Sequence, residues 1–311
     1  MVTMQVAGIR EIGAPVEIIE VSEPRPLAPD EVLVEVAAAG VGNWDEFVRT
    51  GGWDVGGGRP TALGVEAAGT VLAVGDAVSD WSPGDEVMTH PLPLRDQGTW
   101  APQLIAPAAL LARKPANATW EAAAAFPVPA LTAEQVIGEA LDVHAGEQLL
   151  VYGAGGVTGG LLVALGTLRG AQVIATAGQA SQQRVSALGA HHVIDYHDRD
   201  WPEQVRAITE GRGVPAAVNA VPGYAADAIR VVADNGRLAT ITSDPPAEER
   251  GITVSNVYVR PDGSQLRVLA KQFADGKLAI PIASTYHLAD AAAALGETIS
   301  GHAGGAVILR L

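Results

Sequence analysis

The chain has 311 residues, 48% of them hydrophobic and 18% charged, with a formal net charge of −15. That length allows two domains with separate cores, and the hydrophobic share excludes a disordered chain. The acidic balance argues against nucleic acid or an anionic membrane surface as partner, and the absence of cysteine removes disulfides, thiolate nucleophiles and thiolate metal sites together.

The opening stretch, MVTMQVAGIREIGAPVEIIE, lacks a basic start followed by a long apolar core, so no signal peptide is expected. Glycine or proline interrupts every apolar window before about 18 residues accumulate, so no membrane span is expected and the cytoplasm is the expected location. Next come short β-type runs at Glu31–Gly40, Gly69–Gly75 and Gly84–His90, separated by turn residues. Pro24, Pro26, Pro29, Pro83, Pro91, Pro93, Pro102 and Pro107 exclude a continuous helical domain, so residues 1–115 read as an irregular β domain.

The character changes at Asn117–Leu141. Thr119 can cap a helix through Ala122–Ala125 that Pro127 and Pro129 would end, and Leu131–Leu141 has the apolar spacing of a second helix. From Gln148 onward strands (Gln148–Tyr152, Gln172–Thr176, His192–Ile194, Ala216–Ala220, Arg237–Thr242) alternate with helical patterns. Those patterns fall at Val157–Arg169, Ser181–Leu188, Trp201–Glu210 and Tyr224–Val232. This alternation predicts a parallel sheet covered on both faces. The tail predicts a strand, a helix near His287–Ile299 and a final strand returning to the first domain.

Gly153, Gly156 and Gly159 stand three apart between the strand QLLVY and the following helix. A strand, a glycine turn and a helix gather backbone N–H groups and the positive helix end at one point, which suits a pyrophosphate. The spacing departs from the usual Gly-x-Gly-x-x-Gly, but its context between strand and helix supports a dinucleotide. No Asp or Glu occurs between Glu147 and Asp195, where about five would be expected from the chain-wide frequency. An acid at the end of the second strand holds the 2′-hydroxyl of NAD and would repel a 2′-phosphate, so NADP(H) is the expected cofactor. Gly178 leaves room there, Ser181 offers a hydroxyl, and Arg184 and Tyr196 can approach.

The blocks AAAGVGNWDEFVRTGGW, LGVEAAGTVLAVGDAVSDWSPGDEVM, FPVPALTAEQVI, the glycine loop, ALGAHHVIDY, GRLATI and PDGSQLRVLAKQFADGKLAIPIASTYHLADAAAAL run through nearly the whole chain. In order and spacing they resemble the medium-chain dehydrogenase/reductase superfamily, specifically its zinc-independent quinone oxidoreductase branch, which includes zeta-crystallin. The resemblance implies an α/β fold with a GroES-like β domain (residues 1–116 and 279–311) and a Rossmann doubly wound domain (117–278), with cofactor and substrate between them. It puts Asn43 and Val65 where zinc-dependent relatives carry Cys and His. Neither is a good zinc ligand, and His90 reads as a lone loop histidine, so no metal is expected.

Without zinc, hydride delivery to an acceptor that carries its own electron sink is the expected chemistry: a quinone or an α,β-unsaturated carbonyl. The resemblance places Asn43, Asp45 and Trp53 at the substrate and Thr132 beside the nicotinamide. It makes Val157, Thr158, Val221, Thr242, Val257 and Val259 further cofactor contacts. For Asp45 and Glu66 structural uses stay open, as a helix cap and as a buried group bonded to backbone N–H. The family's usual Lys after the second strand is replaced by Ser181 or Gln182, a common Tyr by Gln135, and a Lys near the end by Ala306.

His144, His191, His192 and His197 read as strand-edge or loop residues. With no base–nucleophile pattern joining them to a serine, hydrolase chemistry is excluded. Val254–Gly263 has strand character and, in the family, such a strand pairs across a twofold axis, so a homodimer is expected. Two alternatives to the quinone or enone reductase remain: an enoyl reductase for one specialised biosynthetic intermediate, and a non-catalytic NADPH-binding protein.

Overall fold

A computed structural model describes residues 3–56, 58, 60–301 and 304–311. Packing divides the chain into two units, residues 1–128 with 260–311, and residues 129–259. The first unit opens with β1 (Thr3–Ile9), β2 (Glu17–Ser22), β3 (Glu31–Val41), α1 (Asn43–Thr50), β4 (Thr61–Ala62), β5 (Ala67–Val74), β6 (Glu86–Thr89), β7 (Gln103–Pro107), β8 (Leu111–Arg113) and α2 (Trp120–Ala124). After α3 (Pro127–Gln135), the second unit runs through β9 (Gln148–Tyr152), α4 (Val157–Leu168), β10 (Gln172–Thr176), α5 (Gln179–Ala187), β11 (His192–Ile194), α6 (Trp201–Ile208), β12 (Val214–Asn219), α7 (Ala225–Ala228), β13 (Val232–Thr240) and β14 (Thr253–Asn256). The chain ends with α8 (Gly263–Ala274), β15 (Ile282–His287), α9 (Ala291–Ser300) and β16 (Ala306–Arg310).

The second unit is a six-stranded parallel sheet in the order β11-β10-β9-β12-β13-β14, so the winding reverses between β9 and β12. That reversal leaves a crevice at the strand ends, and β9 delivers its glycine turn there. The strands are apolar on both faces, as covered parallel strands must be: Leu149, Leu150, Val151, Val173 and Ile174 are all buried.

In the first unit, β2-β1-β4 forms a small sheet, and a larger one runs β15-β16-β3-β5-β6-β8 with β7 also on β3. The tail does return: β16 pairs antiparallel with β3. Strand register sets which residues meet at one end of the larger sheet. Ala39 of β3 lies opposite Ala67 of β5, and Ala67 lies opposite Thr89 of β6. The residues just beyond Ala39, just before Ala67 and just after Thr89 therefore share that end.

Several boundaries differ from the sequence-based ones, each for a local reason. Pro127 opens α3 rather than ending a helix, because Pro127 and Pro129 occupy the first turn, where amides lack helical partners anyway. After Gln135 the helix widens into a π turn over Val136–Ala140. The region 224–232 holds only the single turn α7 and a 3₁₀ turn before β13 begins at Val232. Strand pairing beyond β13 is confined to Thr253–Asn256. The first unit extends past residue 116 and resumes before 279 because α2 packs on β3 and β5, α8 packs on β8, and Phe126 stacks on Phe273 at 4.5 Å.

Candidate functional site

The glycine turn is shaped by contacts that no other residue permits. Gly153 has φ +91°, and a Cβ there would lie 2.4 Å from Val221 Cγ2. Its amide donates to Thr176 Oγ1 at 3.0 Å, tying the end of β9 to the end of β10. A Cβ at Gly159 would stand 2.1 Å from the Gly153 carbonyl oxygen, and one at Gly166 would stand 2.8 Å from Leu149 Cδ2, so α4 lies hard against the strand it follows. Gly156 is different. It is the N-cap of α4 without a side-chain cap, and a Cβ there would meet nothing nearer than the Gly153 carbonyl at 3.8 Å. Gly156 is exposed, so the first turn of α4, whose opening amides have no partner within the helix, begins beside open space at the positive helix end. This cradle fits a pyrophosphate.

Gly178 caps α5 directly after β10 and leaves room beside two rings, since a Cβ there would lie 3.4 Å from Tyr196 Cε1 and from His197 Cε1. Ser181 is half-buried one turn on, and its Oγ would be 3.2 Å from a Gly155 Cβ. Arg184 is turned into the glycine turn: its Nη2 donates to the Gly155 carbonyl, and burial holds its pKa below the usual arginine value.

The acid-free run of sequence does not keep acids away from this place. Parallel pairing of Thr176 with Ile194 brings Asp195 to the end of β10. Its Oδ1 accepts from the His197 amide at 3.0 Å and meets His197 Nδ1 at 2.7 Å, while Gln182 Nε2 lies 3.5 Å from Oδ2. The His197 amide and ring hold the Asp195 carboxyl below its ordinary range.

Further round the same strand ends, Val221 packs on Gly153, and Thr242 belongs to a network that sequence reasoning missed. Buried Asn219 donates to Thr242 Oγ1 at 3.0 Å and to the Val221 carbonyl at 3.0 Å. Asp244 accepts from Thr240, from Thr242 and from the Gly223 amide. Val257 donates its amide to the Thr240 carbonyl at 2.8 Å; Val259 is half-buried two residues on. Thr132 is buried on α3.

The first unit gathers a second set of residues at the sheet end picked out by register. Asn43 is exposed at the start of α1. Asp45 is fully buried and caps the start of α1, its Oδ2 accepting from the Gly42 amide at 2.8 Å. Glu66 Oε2 accepts from the Val128 amide at 2.8 Å, and Oε1 lies where a Gly40 Cβ would have to be, at 2.2 Å. Both structural uses left open for these carboxylates are thus present.

Among the described residues neither carboxylate is paired with a cation. Burial pushes Asp45 up to about 8, against the pull of the Gly42 amide and of the Gly64 amide that faces it. Burial also raises Glu66 well above the ordinary range, and the neighbouring Asp45 raises it further. His90 follows β6 at the same end and is buried, not a solvent loop residue: its Nδ1 is 2.7 Å from the Val65 carbonyl, and burial brings its pKa down to about 4. The half-buried Trp53 ring lies 6.5 Å from the His90 ring, centroid to centroid. The pairing of β5 with β6 was the signal that would have found His90.

Among the described residues no three His, Asp or Glu side chains converge so as to hold a metal ion. Asn43 and Val65 offer a weak ligand and none, so the donor set does not fit zinc. No helix among the described residues is long and apolar enough to cross a membrane.

Residues 28–116 match the model of the alcohol dehydrogenase GroES-like domain, and residues 188–309 match that of the zinc-binding dehydrogenase family. A crystal structure of an NAD-dependent alcohol dehydrogenase superposes with a TM-score of 0.89 at 30% identity, covering 99% of this chain and 100% of that one. The chain belongs to the medium-chain dehydrogenase/reductase superfamily, in its quinone oxidoreductase-like branch. A quinone oxidoreductase of Pseudomonas syringae pv. tomato DC3000 superposes with a TM-score of 0.87 at 26% identity, over 99% and 100% of the two chains. Erythronolide synthase EryA2 of Saccharopolyspora erythraea is 34% identical over 205 residues, 65% of this chain but only 6% of that protein. The chain is an oxidoreductase of this superfamily, and the family implies a nicotinamide cofactor.

Two variants separate ligand space from packing space at the glycine turn. Gly156→Ala should leave Tm within about 2 °C and weaken nicotinamide dinucleotide binding at least about tenfold, whereas Gly159→Ala should lower Tm by several degrees, by thermal melts and fluorescence titration. Asp45 gives a pH prediction. Between its unfolded value of 3.8 and about 8 the folded state alone holds the proton. It therefore contributes stability that is fully present below 3.8 and is lost as pH rises through about 8. Asp45→Asn keeps an acceptor for the Gly42 amide and should flatten this decline, by at most about 1.4 kcal/mol per pH unit, in denaturant unfolding followed from pH 5 to 8.

Proposed function

We propose that the protein is an NADPH-dependent oxidoreductase that reduces a quinone or an α,β-unsaturated carbonyl by direct hydride transfer, without zinc. The observation that carries this reading is the donor set at the end of β3, β5 and β6. An exposed amide, two buried carboxylates and a buried imidazole stand there, and among the described residues no three His, Asp or Glu side chains converge to hold a metal ion that would polarise an alcohol. An acceptor with its own electron sink does not need one. A nicotinamide bound there would supply the hydride, and solvent or a bound hydroxyl the proton that completes the reduction. Asn43 offers an N–H to a ligand carbonyl, Trp53 provides an aromatic wall, and Asp45 holds the start of α1 so that Asn43 is presented at a fixed angle.

For the cofactor, Gly153, Gly156, Val157 and Thr158 cradle the pyrophosphate, with Thr132, Val221, Thr242, Val257 and Val259 as the further contacts. Gly178, Ser181 and Tyr196 form the 2′-phosphate end, and Arg184 acts from beneath by holding the Gly155 carbonyl. Asp195 is at that end too, but its oxygens are engaged by His197 and Gln182. A homodimer would form through β14, the outermost strand of the parallel sheet. The match to a synthase favours a second reading, in which the acceptor is the unsaturated acyl group of one biosynthetic intermediate.

Fluorescence titration should show NADPH binding at least about tenfold tighter than NADH. NADPH oxidation should then run at least about tenfold faster with 1,4-naphthoquinone or cyclohex-2-enone than with cyclohexanone, with no change on adding EDTA. Tighter NADH binding sinks the cofactor assignment. Turnover of the simple ketone alone sinks the acceptor assignment, and NADPH binding with no turnover of any of the three favours the second reading.

A further inference from the structure

Among the described residues, two buried side-chain nitrogens without a hydrogen-bond partner belong to residues at one end of the first unit's large sheet: Trp44 Nε1 and His90 Nε2. Buried polar atoms are nearly always paired, so such a gathering needs a cause. His90 is the more informative of the two because its proton can be located. Its Nδ1 is 2.7 Å from the Val65 carbonyl, which can only accept. The proton of the neutral ring is therefore on Nδ1, and Nε2 carries a lone pair and no proton. Burial keeps the ring neutral, since its pKa is brought down to about 4. Nε2 is thus a permanent acceptor at ordinary pH.

Its place is set by three elements. β6 ends at Thr89, directly before it; Val65, on the chain entering β5, fixes the ring plane; and the half-buried Trp53 ring stands 6.5 Å away on the neighbouring loop. That loop is fastened by Leu94 donating its amide to the Val55 carbonyl at 2.8 Å. Asn43 opens α1 from the same sheet end. The end therefore offers two complementary polar groups: the Asn43 amide, which can donate, and His90 Nε2, which can only accept. A simple quinone or enone carries carbonyl oxygens alone and leaves Nε2 unpaired, at a cost of the kind that lets a polar site reject an analogue lacking a hydroxyl.

We propose that His90 Nε2 is a specificity-determining acceptor that takes an O–H donor borne by the ligand near its reducible group, so that hydroxylated acceptors are preferred over their unhydroxylated counterparts. This rests on the acceptor site assigned under the proposed function and narrows its substrate class.

The test has a spectroscopic and a kinetic arm. In protein labelled with ¹⁵N-histidine, the His90 resonances are identified by their loss in His90→Phe. The free protein should show Nδ1 protonated and Nε2 bare. Hydroquinone, added without oxygen, should shift the Nε2 resonance, and 1,4-dimethoxybenzene, the same ring without O–H, should not. In turnover with NADPH, KM for 4-hydroxycyclohex-2-enone should be about tenfold below that for cyclohex-2-enone. His90→Phe should abolish that preference and His90→Gln, which restores an acceptor, should recover part of it. His90→Gln also serves if the Phe variant fails to fold.

A protonated Nε2, an unmoved Nε2 resonance with saturating hydroquinone, or an undiminished hydroxyl preference in folded His90→Phe overturns the inference. Turnover of both enones with equal KM overturns it while leaving the proposed function standing. Turnover of neither enone and no quinone removes the proposed reaction, and the hydroquinone titration then still decides whether His90 accepts from a ligand.

Discussion

The parallel unit is built around a contact that only glycine permits, between Gly159 and the Gly153 carbonyl, where a Cβ would come to 2.1 Å. Because α4 can begin that close to β9, its buried face (Leu161, Leu162, Leu165) settles on the sheet without a spacer loop. The helix axis is then aimed at the strand end, and its uncapped amides converge beyond Gly156. Two further ties hold the turn in place: the Gly153 amide on Thr176 Oγ1 from the neighbouring strand, and Arg184 on the Gly155 carbonyl from α5. The cradle proposed for a pyrophosphate is thus a consequence of packing. Its backbone is held in place before any ligand arrives, which is what preorganised binding would require.

The first unit solves a different problem. Asp45 and Glu66 are buried with no basic partner among the described residues, and a charged carboxylate in that setting is strongly disfavoured. Asp45 takes the Gly42 amide and faces that of Gly64, Glu66 takes the Val128 amide, and the rise in both pKa values shows desolvation outweighing those interactions. A neutral acid is a weaker cap than a carboxylate but is compatible with burial, so the start of α1 and the chain at Val128 are positioned without a fixed charge at that sheet end. Gly40 is the counterpart on β3, since Glu66 lies where its side chain would be. This arrangement suits an uncharged conjugated acceptor and gives no electrostatic help to an alkoxide.

Much of the fold is legible from local pattern. β9, β10 and β11 fall on the stretches whose apolar runs end in glycine or charged residues, and α4 starts where the glycine spacing puts it. The Thr119 cap is also found, with Oγ1 accepting from the Ala122 amide at 3.2 Å. What local pattern misses is where a rule has two meanings. Proline marks both the end and the first turn of a helix, and at Pro127 the second holds. The apolar residues at 229–232 fit a helix face or a strand entry, and pairing of Val232 with Val214 on β12 decides for the strand. The candidate site divides the same way. The glycines announce themselves, but His90 is indistinguishable from a turn residue until β5 and β6 are paired, and the Asn219–Thr240–Thr242–Asp244 network joins residues with no common motif.

Asp195 shows why sequence distance is a poor measure of electrostatic distance. The run without acids, Glu147 to Asp195, is real along the chain, yet parallel pairing places the residue after β11 next to the residue after β10, so the first acid of the next segment arrives where the run predicts none. Its effect depends on its partners. Its Oδ1 is engaged by the His197 amide and ring, and that ring lies beside Gly178. A ribose hydroxyl approaching Gly178 would have to compete with His197 for that oxygen, whereas a phosphate would meet the imidazole side of the same pair. In the proposed cofactor site the choice between the two nucleotides would therefore turn on which group holds Asp195, and the mere presence or absence of an acid would not be the deciding quantity.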